Sequence, residues 1–150
     1  MNILNMKRPI WFMRQAGRHL PEYRKLRSKK KNFLDFCFDK KSIIEATLQP
    51  VQRYKIDCAI IFCDILIAPY ILGQKISFVK GEGPLLENVS LEELISLKSL
   101  SQKEKDLQNT YNAIKEVRIK LNKNKSLIGF CGGPWTVACY MINGKGDSKF

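Results

Sequence analysis

The sequence has few of the residues that metal sites and disulfide frameworks require. It contains one histidine, His19, and an odd number of cysteines without a CxxC pair, at positions 37, 58, 63, 131 and 139. Structural zinc usually needs Cys or His ligands in paired spacings, so we expect no metal site. Unpaired thiols fit a reducing compartment. Cys58, Cys63 and Cys131 lie in apolar runs, where we expect them to behave as small hydrophobic residues.

Long hydrophobic runs are also absent. A membrane-spanning helix needs about 18 or more apolar residues, and the longest candidate, Cys58–Ala68, is interrupted by Asp64 and followed by Pro69. Residues 1–6 are too short for the apolar region of a signal peptide. These features predict a cytoplasmic protein that makes no membrane contact.

Acidic residues are scarce near the N-terminus. Residues 1–31 hold ten Lys or Arg and one acid, Glu22, and the whole chain has a net charge of +12. Such a balance favours an anionic partner, whether nucleic acid, phosphate or a polycarboxylate. The run Lys29–Lys31 alone is typical of an ordinary solvated surface.

Three continuous apolar runs predict buried strands of a parallel sheet, namely Ile10–Met13, Cys58–Cys63 and Ser126–Cys131. A fourth run, Lys75–Val79, alternates in polarity, which predicts a half-exposed strand in a hairpin.

Three helix starts carry a serine followed three residues later by a glutamate, the capping-box pattern. The pairs are Ser42 with Glu45, Ser90 with Glu93, and Ser101 with Glu104. The first predicts a helix over 43–54 that is kinked by Pro50. The third opens a helix with one apolar stripe, formed by Leu107, Tyr111, Ile114, Val117 and Leu121. Strands alternating with helices predict a single α/β domain over 1–150.

Polar residues follow each predicted buried strand. Arg14-Gln15-Ala16-Gly17-Arg18 follows the first, Asp64 ends the second, and Gly132-Gly133-Pro134 follows the third, with Tyr140 beyond it. The carboxyl ends of parallel strands line the ligand site of α/β proteins. The nucleotide fingerprints GxGxxG and GxxxxGK[ST] are absent.

Each of these residues has two readings. Arg14 and Arg18 share a face if their segment is helical, and their guanidinium groups match carboxylate or phosphate, yet a pair of surface charges is equally consistent with the spacing. Asp64 suits either a turn or helix cap or an active-site carboxylate. Tyr140 suits either a core aromatic or a substrate contact.

Several blocks occur together and in order along the chain. They are 8–24, Leu48-Gln49-Pro50, Ala59–Leu66, Gly81–Pro84, Gly129–Thr136 and Tyr140–Gly144. With these blocks, the chain resembles the uroporphyrinogen decarboxylase family over nearly its whole length.

The resemblance implies a (β/α)8 TIM barrel of which this chain is the N-terminal part, because the family's chain is about twice as long or more and a closed barrel takes about 250 residues. We therefore expect an incomplete fragment that is inactive alone. When full length, the protein is expected to be a homodimer without a metal or organic cofactor.

The resemblance also implies a tetrapyrrole substrate with eight carboxylates. It assigns substrate binding to Arg14, Gln15, Ala16, Gly17, Arg18, Arg27, Asp64 and Tyr140. Loss of each acetate as carbon dioxide requires an electron sink, which a protonated pyrrole supplies. Asp64 is then the catalytic residue, stabilising the cationic pyrrole electrostatically.

Two alternatives remain at this point. Related barrel methyltransferases look similar over parts of this region, although they bind zinc through residues of later strands. A basic module that binds a polyanion such as RNA is the other, but the charge is not interleaved with stacking aromatics. We therefore expect no nucleic-acid partner.

Overall fold

The computed structural model describes residues 8–79, 83–90, 92–93 and 104–145. Strands and helices alternate within these ranges, which confirms the α/β class. The helices are α1 (Pro21–Arg27), α2 (Phe33–Phe38), α3 (Lys40–Arg53), α4 (Ile67–Leu72), α5 (Glu104–Lys120) and α6 (Pro134–Asn143). The strands are β1 (Cys58–Ile60), β2 (Ile76–Val79), β3 (Gly83–Leu86) and β4 (Ser126–Ile128).

Strands β1 and β4 pair in parallel, with Cys58 opposite Ser126 and Ile60 opposite Ile128. A hydrogen bond from the Ile61 N–H to the Ile128 carbonyl, at 3.0 Å, extends the pairing by one residue. Two of the predicted strands are therefore confirmed, although both end earlier than the apolar runs that predicted them. Beyond β4 the chain is exposed as far as Cys131, so the expectation that this cysteine is a buried hydrophobic residue is wrong.

The first predicted strand is not formed. Ile10–Met13 has no strand assignment and its four side chains are exposed, Met13 by 82%. The segment nevertheless lies beside the start of β1: the Asp57 N–H donates to the Ile10 carbonyl at 2.8 Å, and the Ile10 N–H donates to the Asp57 carboxylate. Farther along, Gln15 bonds to Cys58 and Ile60, so the two segments run in the same direction. A single backbone bond does not make a ladder, and the described residues leave these side chains uncovered.

Strands β2 and β3 form the predicted hairpin, antiparallel with Ile76 opposite Leu86. The hairpin is tied to the end of α6, because the Leu86 N–H donates to the Gly144 carbonyl at 2.7 Å. Gly144 has φ +72°, and an added Cβ would lie 2.6 Å from the Asn88 Oδ1. This junction therefore requires glycine.

Helix α3 begins earlier than the capping pattern predicted. Asp39 is its N-cap, and Ser42 lies inside the helix, where its N–H and hydroxyl both donate to the Asp39 carboxylate at 2.9 and 2.6 Å. The carboxylate of Asp39 also pairs with Lys30. Burial opposes ionisation, but these partners hold the pKa of Asp39 below its usual value. The helix continues through Pro50 to Arg53.

The other two capping patterns have different outcomes. Ser90 and Glu93 form a reciprocal capping box: the Glu93 N–H donates to the Ser90 hydroxyl at 3.1 Å and the Ser90 N–H donates to the Glu93 carboxylate at 2.7 Å. Ser101 lies outside the described residues, although α5 begins at Glu104.

The predicted apolar stripe of α5 is partly wrong. Val117 and Leu121 are buried as predicted, whereas Tyr111 and Ile114 are exposed by 43% and 37%. The buried face instead includes Thr110 and Ala113. The reason is the neighbour: α3 packs against α5 through Ile43 and Ile44, which meet Ala113 and Val117, and a small alanine lets the two helices approach closely.

A second core lies under α1 and α2. It consists of Leu20, Tyr23, Leu26, Phe36 and Ala46, with Phe62 packed against it from the end of β1. The rings of Tyr23 and Phe36 meet edge to face with centroids 5.5 Å apart. This aromatic cluster fixes the N-terminal helices against the carboxyl end of β1.

No helix within the described ranges has the length and apolar character to cross a bilayer.

Candidate functional site

Asp64 lies at the carboxyl end of β1, four residues beyond Ile60, and is half-buried. Its Oδ1 accepts a hydrogen bond from the Leu66 N–H at 2.8 Å, and its carbonyl accepts from the Ile67 N–H at 3.3 Å. Burial raises the pKa of the carboxyl group, and the Leu66 bond opposes this. Asp64 thus caps a turn with one oxygen, while its Oδ2 accepts no hydrogen bond from the described residues.

Two of the predicted arginines act on the same buried ring as Asp64. Burial raises the pKa of the Tyr23 phenol, the charges of Arg27 and Arg18 oppose the rise, and the charge of Asp64 adds to it. The charges of Arg18, Arg27 and Asp64 are thus close enough to influence the ionisation of one buried phenol. No pattern in the sequence singled out Tyr23 as a residue that these charges influence.

Arg27 is held in place by neighbours within the chain. Its guanidinium carbon lies 5.7 Å from the Phe33 ring centroid and 5.8 Å from the Phe36 centroid. Its Nη1 also donates to the Lys30 carbonyl at 2.9 Å. These contacts orient the charge but also occupy part of its donor fork. Arg18 is exposed. Its carbonyl accepts a hydrogen bond from Arg24 Nη1 at 3.1 Å, and the described residues offer no hydrogen-bond partner to its guanidinium group.

Arg14 lies elsewhere, in a separate pocket of about 190 Å³. Among the residues that line this pocket are Phe12, His19, Tyr54 and Ile56. The segment between the two arginines is not helical, so the condition under which Arg14 and Arg18 would share a helix face is not met.

The side chain of Gln15 joins its segment to β1. It is buried, its Nε2 donates to the Cys58 carbonyl at 2.9 Å, and its Oε1 accepts from the Ile60 N–H at 2.9 Å. The side-chain amide thereby satisfies the two backbone groups of β1 that a neighbouring strand would otherwise bind. A glutamine between Arg14 and Ala16 gives no sequence signal for such a role.

The two small residues that follow Gln15 have ordinary structural surroundings. Ala16 packs against the core that contains Tyr23. The Gly17 carbonyl accepts from the Leu20 N–H at 3.0 Å. Ala16 and Gly17 connect Gln15 to α1, and Arg18 lies in the turn that the Gly17–Leu20 bond closes.

The glycine-rich turn after β4 crosses close to the chain beyond Asp64. An added Cβ at Gly132 would lie 2.5 Å from Val137 Cγ2 and 3.1 Å from Ile65 Cβ, so no larger residue fits without movement. Gly133 is the N-cap of α6 and Pro134 its first residue. The carboxyl ends of β1 and β4 therefore meet, as the sequence predicted for Asp64 and this turn.

Tyr140 lies on α6 and belongs to a different cluster. It is half-buried and packs against Leu66, Leu86 and Met141. No described contact joins it to Asp64, Arg18 or Arg27.

A second link that the sequence did not indicate is made by Thr47. This buried residue of α3 donates its hydroxyl to the Ile43 carbonyl at 2.7 Å and accepts from the Phe62 N–H at 2.9 Å. It fixes the backbone two residues before Asp64. The described part of the chain contains no cluster of three or more His, Cys, Asp or Glu side chains that could bind a metal ion.

Comparison with known proteins agrees with the sequence motifs. The family model described as uroporphyrinogen decarboxylase matches residues 5–150. The uroporphyrinogen decarboxylase of Rickettsia felis is 50% identical over 144 residues, which cover 96% of this chain and 41% of the relative. That of Campylobacter hominis is 48% identical over 143 residues, 95% of this chain and 42% of the relative.

Among solved structures, a methyltransferase from Methanosarcina mazei has a similar fold, with a TM-score of 0.50 at 16% identity over 72% of this chain and 33% of the methyltransferase. At that identity the likeness concerns the fold alone. The chain spans about two fifths of the length of the curated relatives it matches. The family match over residues 5–150 confirms the resemblance, and the chain belongs to the uroporphyrinogen decarboxylase family.

Proposed function

We propose that this chain forms the N-terminal part of a single barrel domain that converts uroporphyrinogen III to coproporphyrinogen III by removing four acetate carboxylates. The observation that carries the proposal is the identity at half of all positions with a named uroporphyrinogen decarboxylase across 96% of the chain. The structure adds a half-buried carboxylate, Asp64, at the carboxyl end of a parallel strand, where barrel enzymes carry their catalytic residues.

The arrangement of three neighbouring segments supports the barrel. Residues 10–15 run beside β1 in the same direction, and β1 pairs in parallel with β4. Helices α3 and α5 connect the three segments and pack against each other. Sequential parallel segments joined by helices are the repeating unit of a (β/α)8 barrel.

Substrate binding is assigned to Arg14, Gln15, Ala16, Gly17, Arg18, Arg27, Asp64 and Tyr140. A substrate with eight carboxylates explains why arginines are needed, because each guanidinium group can hold one carboxylate in a defined orientation. The exposed guanidinium of Arg18 is available for this contact. Gln15 and Gly17 contribute through their backbone, since the Gln15 amide already binds β1.

Asp64 is assigned the catalytic role. Protonation of a pyrrole carbon makes a cation that accepts the electrons of the departing carboxylate, so the substrate supplies its own electron sink and the reaction uses no cofactor. The free oxygen of Asp64 accepts a pyrrole N–H and stabilises that cation. The Leu66 N–H and the Thr47 bond to Phe62 hold the carboxylate in a fixed position, which avoids reorganisation during the reaction.

The test joins this chain to the remaining C-terminal part of the Rickettsia felis relative and measures coproporphyrinogen formation. The 150-residue chain alone should give none, and the chimera should be active. Asp64→Asn should lower kcat by about 10²–10³, because the interaction strengthens as positive charge develops. Asp35→Asn makes the same change at an exposed position and should leave kcat unaltered. Near-normal turnover of Asp64→Asn with a lowered melting temperature would instead identify Asp64 as a structural cap.

We further propose that the complete protein is a homodimer located in the cytoplasm. The dimer follows from the family resemblance, and the location is supported by the five free cysteines, which suit a reducing compartment. Sedimentation of the chimera would detect the dimer, and a monomer at micromolar concentration would contradict it.

A further inference from the structure

Two cysteines occupy corresponding positions on the paired strands. Cys63 and Cys131 each lie three residues beyond the last registered pair, Ile60 and Ile128. If the register continues, the two cysteines stand opposite each other where β1 and β4 give way to the candidate site.

The chains remain close on both sides of the two cysteines. Before them, the Ile61 N–H bonds to the Ile128 carbonyl at 3.0 Å. After them, Gly132 approaches Ile65 so closely that an added Cβ would lie 3.1 Å from the Ile65 Cβ. These two close approaches bracket Cys63 and Cys131, which favours their being neighbours.

The charge of one thiol also affects the pKa of the other. Burial raises the pKa of the Cys63 thiol to about 11, and the neighbouring charges of Asp64 and Cys131 add to the rise. The two residues differ in access, because Cys131 is exposed and Cys63 is half-buried.

We propose that Cys63 and Cys131 are a redox modification site, at which the two thiols form a reversible disulfide that joins the carboxyl ends of β1 and β4. Neighbouring strands lie about 4.8 Å apart, and the Cα atoms of disulfide-linked cysteines lie about 4.4–6.8 Å apart. If the β1–β4 spacing continues past Ile60 and Ile128, the bond requires no separation of the two chains.

The oxidant is a low-molecular-weight disulfide such as oxidised glutathione. The exposed Cys131 thiolate attacks one of its sulfurs, forming a mixed disulfide and releasing one glutathione thiolate, which takes up a proton. Cys63 then attacks the Cys131 sulfur and releases the second glutathione. Two protein thiols are oxidised and one glutathione disulfide is reduced. The high pKa of Cys63 makes it the slower nucleophile, so it acts in the second step.

Cys37 is the nearest competitor, because Cys63 packs against the cluster of Cys37, Ile67 and Ile71. Cys37 and Cys58 are buried, and burial raises the pKa of the Cys37 thiol strongly, so neither is expected to react with oxidised glutathione. A mapped Cys37–Cys63 linkage would overturn the proposal. Cys139 is half-buried on α6, eight residues along the chain from Cys131 and separated from it by a helix start.

The test treats the folded chain with oxidised glutathione, counts free thiols and maps the linkage. Trypsin leaves Cys63 in peptide 56–75 with Cys58, and Cys131 in peptide 126–145 with Cys139. Tandem mass spectrometry within each peptide assigns the linked cysteine. We expect the five free thiols to fall to three, with the two peptides joined through Cys63 and Cys131.

Single variants separate the two chemical steps. Cys63→Ser should stop after the first step and keep glutathione on Cys131, and Cys131→Ser should form no internal disulfide. Cys139→Ser is the matched control and should still form the bond. The proposal is overturned if the unsubstituted chain retains glutathione on Cys131, if both thiols stay free, or if the urea-denatured chain gives the same linkage as readily. Circular dichroism checks that each variant folds. If a variant does not fold, the linkage mapped in the unsubstituted chain alone tests the proposal.

Discussion

Replacing Gln15 with methionine should destabilise the fold even though methionine has a similar length and volume. The Gln15 amide is buried and makes two hydrogen bonds of 2.9 Å, one to the Cys58 carbonyl and one from the Ile60 N–H. Methionine can make neither. The variant therefore leaves one buried carbonyl and one half-buried N–H of β1 without a partner.

The magnitude follows from these two groups. An unsatisfied buried polar group costs about 1–3 kcal/mol, and partial exposure of Ile60 brings the pair to about 2–4 kcal/mol. Burial of a more apolar side chain offsets roughly 1 kcal/mol of this. The free energy of unfolding should thus fall by about 1–3 kcal/mol, and with an m-value near 2 kcal/mol/M the urea midpoint should fall by roughly 0.5–1.5 M.

Urea unfolding followed by circular dichroism and tryptophan fluorescence measures this change. Gln108→Met is the matched control, because Gln108 is exposed on α5 and its Nε2 donates to the Asn112 Oδ1 at a long 3.4 Å. Its effect should stay within about 0.5 kcal/mol. If the two variants lose equal stability, Gln15 does not join its segment to β1, and a contact with substrate becomes its better explanation.

Three further changes test other parts of the structure. Gly144→Ala should lower the free energy of unfolding by at least about 1 kcal/mol because of its positive φ, whereas Gly129→Ala, with open space around its Cβ, should have little effect in the same urea titration. The pKa of Asp39 is lower in the folded protein than in the unfolded chain. The stabilisation by Asp39 is therefore present above the unfolded pKa of about 4 and is lost as the pH falls through the folded pKa. Asp39→Asn should flatten the acid limb of a plot of stability against pH, and an unchanged limb would contradict this. In the chimera, Arg14→Lys and Arg18→Lys should each weaken substrate binding by roughly tenfold, or about 1.4 kcal/mol, and normal KM and kcat in both would refute their assignment.

The sequence predicted the elements whose patterns are local. The β2–β3 hairpin follows from alternation, and the Ser90 capping box follows from two residues that contact each other directly. The sequence-based predictions were wrong where contacts with a distant part of the chain determine the local structure. Asp39, and not Ser42, is the N-cap, and Lys30 pairs with it from the loop between α1 and α2. Tyr111 is exposed because α3 packs against the adjacent row of residues on α5.

The site shows the same division. Asp64 and the Gly132 turn could be placed together, because parallel strands bring their carboxyl ends to one edge whatever the side chains are. The separation of Arg14 from Arg18 could not be predicted, since it depends on a non-helical turn between them. Nor could the roles of Gln15 and Thr47, because a polar side chain that satisfies a distant backbone group leaves no periodic signal in the sequence.

The exposed run Ile10–Met13 is the largest disagreement between sequence and structure, and the proposed barrel accounts for it. A run of four large apolar residues in water is unusual for a folded surface and marks a face that contacts another element. In a closed barrel the first strand pairs on one side with the second and on the other with the last. The first pairing is present in part, through Asp57 and the Gln15 amide. The second would require the length by which the curated relatives exceed this chain, so in the active chimera Trp11 should become buried and its fluorescence should shift to shorter wavelength. Fluorescence of Trp11 in a Trp135→Phe background, compared between the chain and the chimera, measures this directly, and equal emission maxima would show that the run is not a barrel strand.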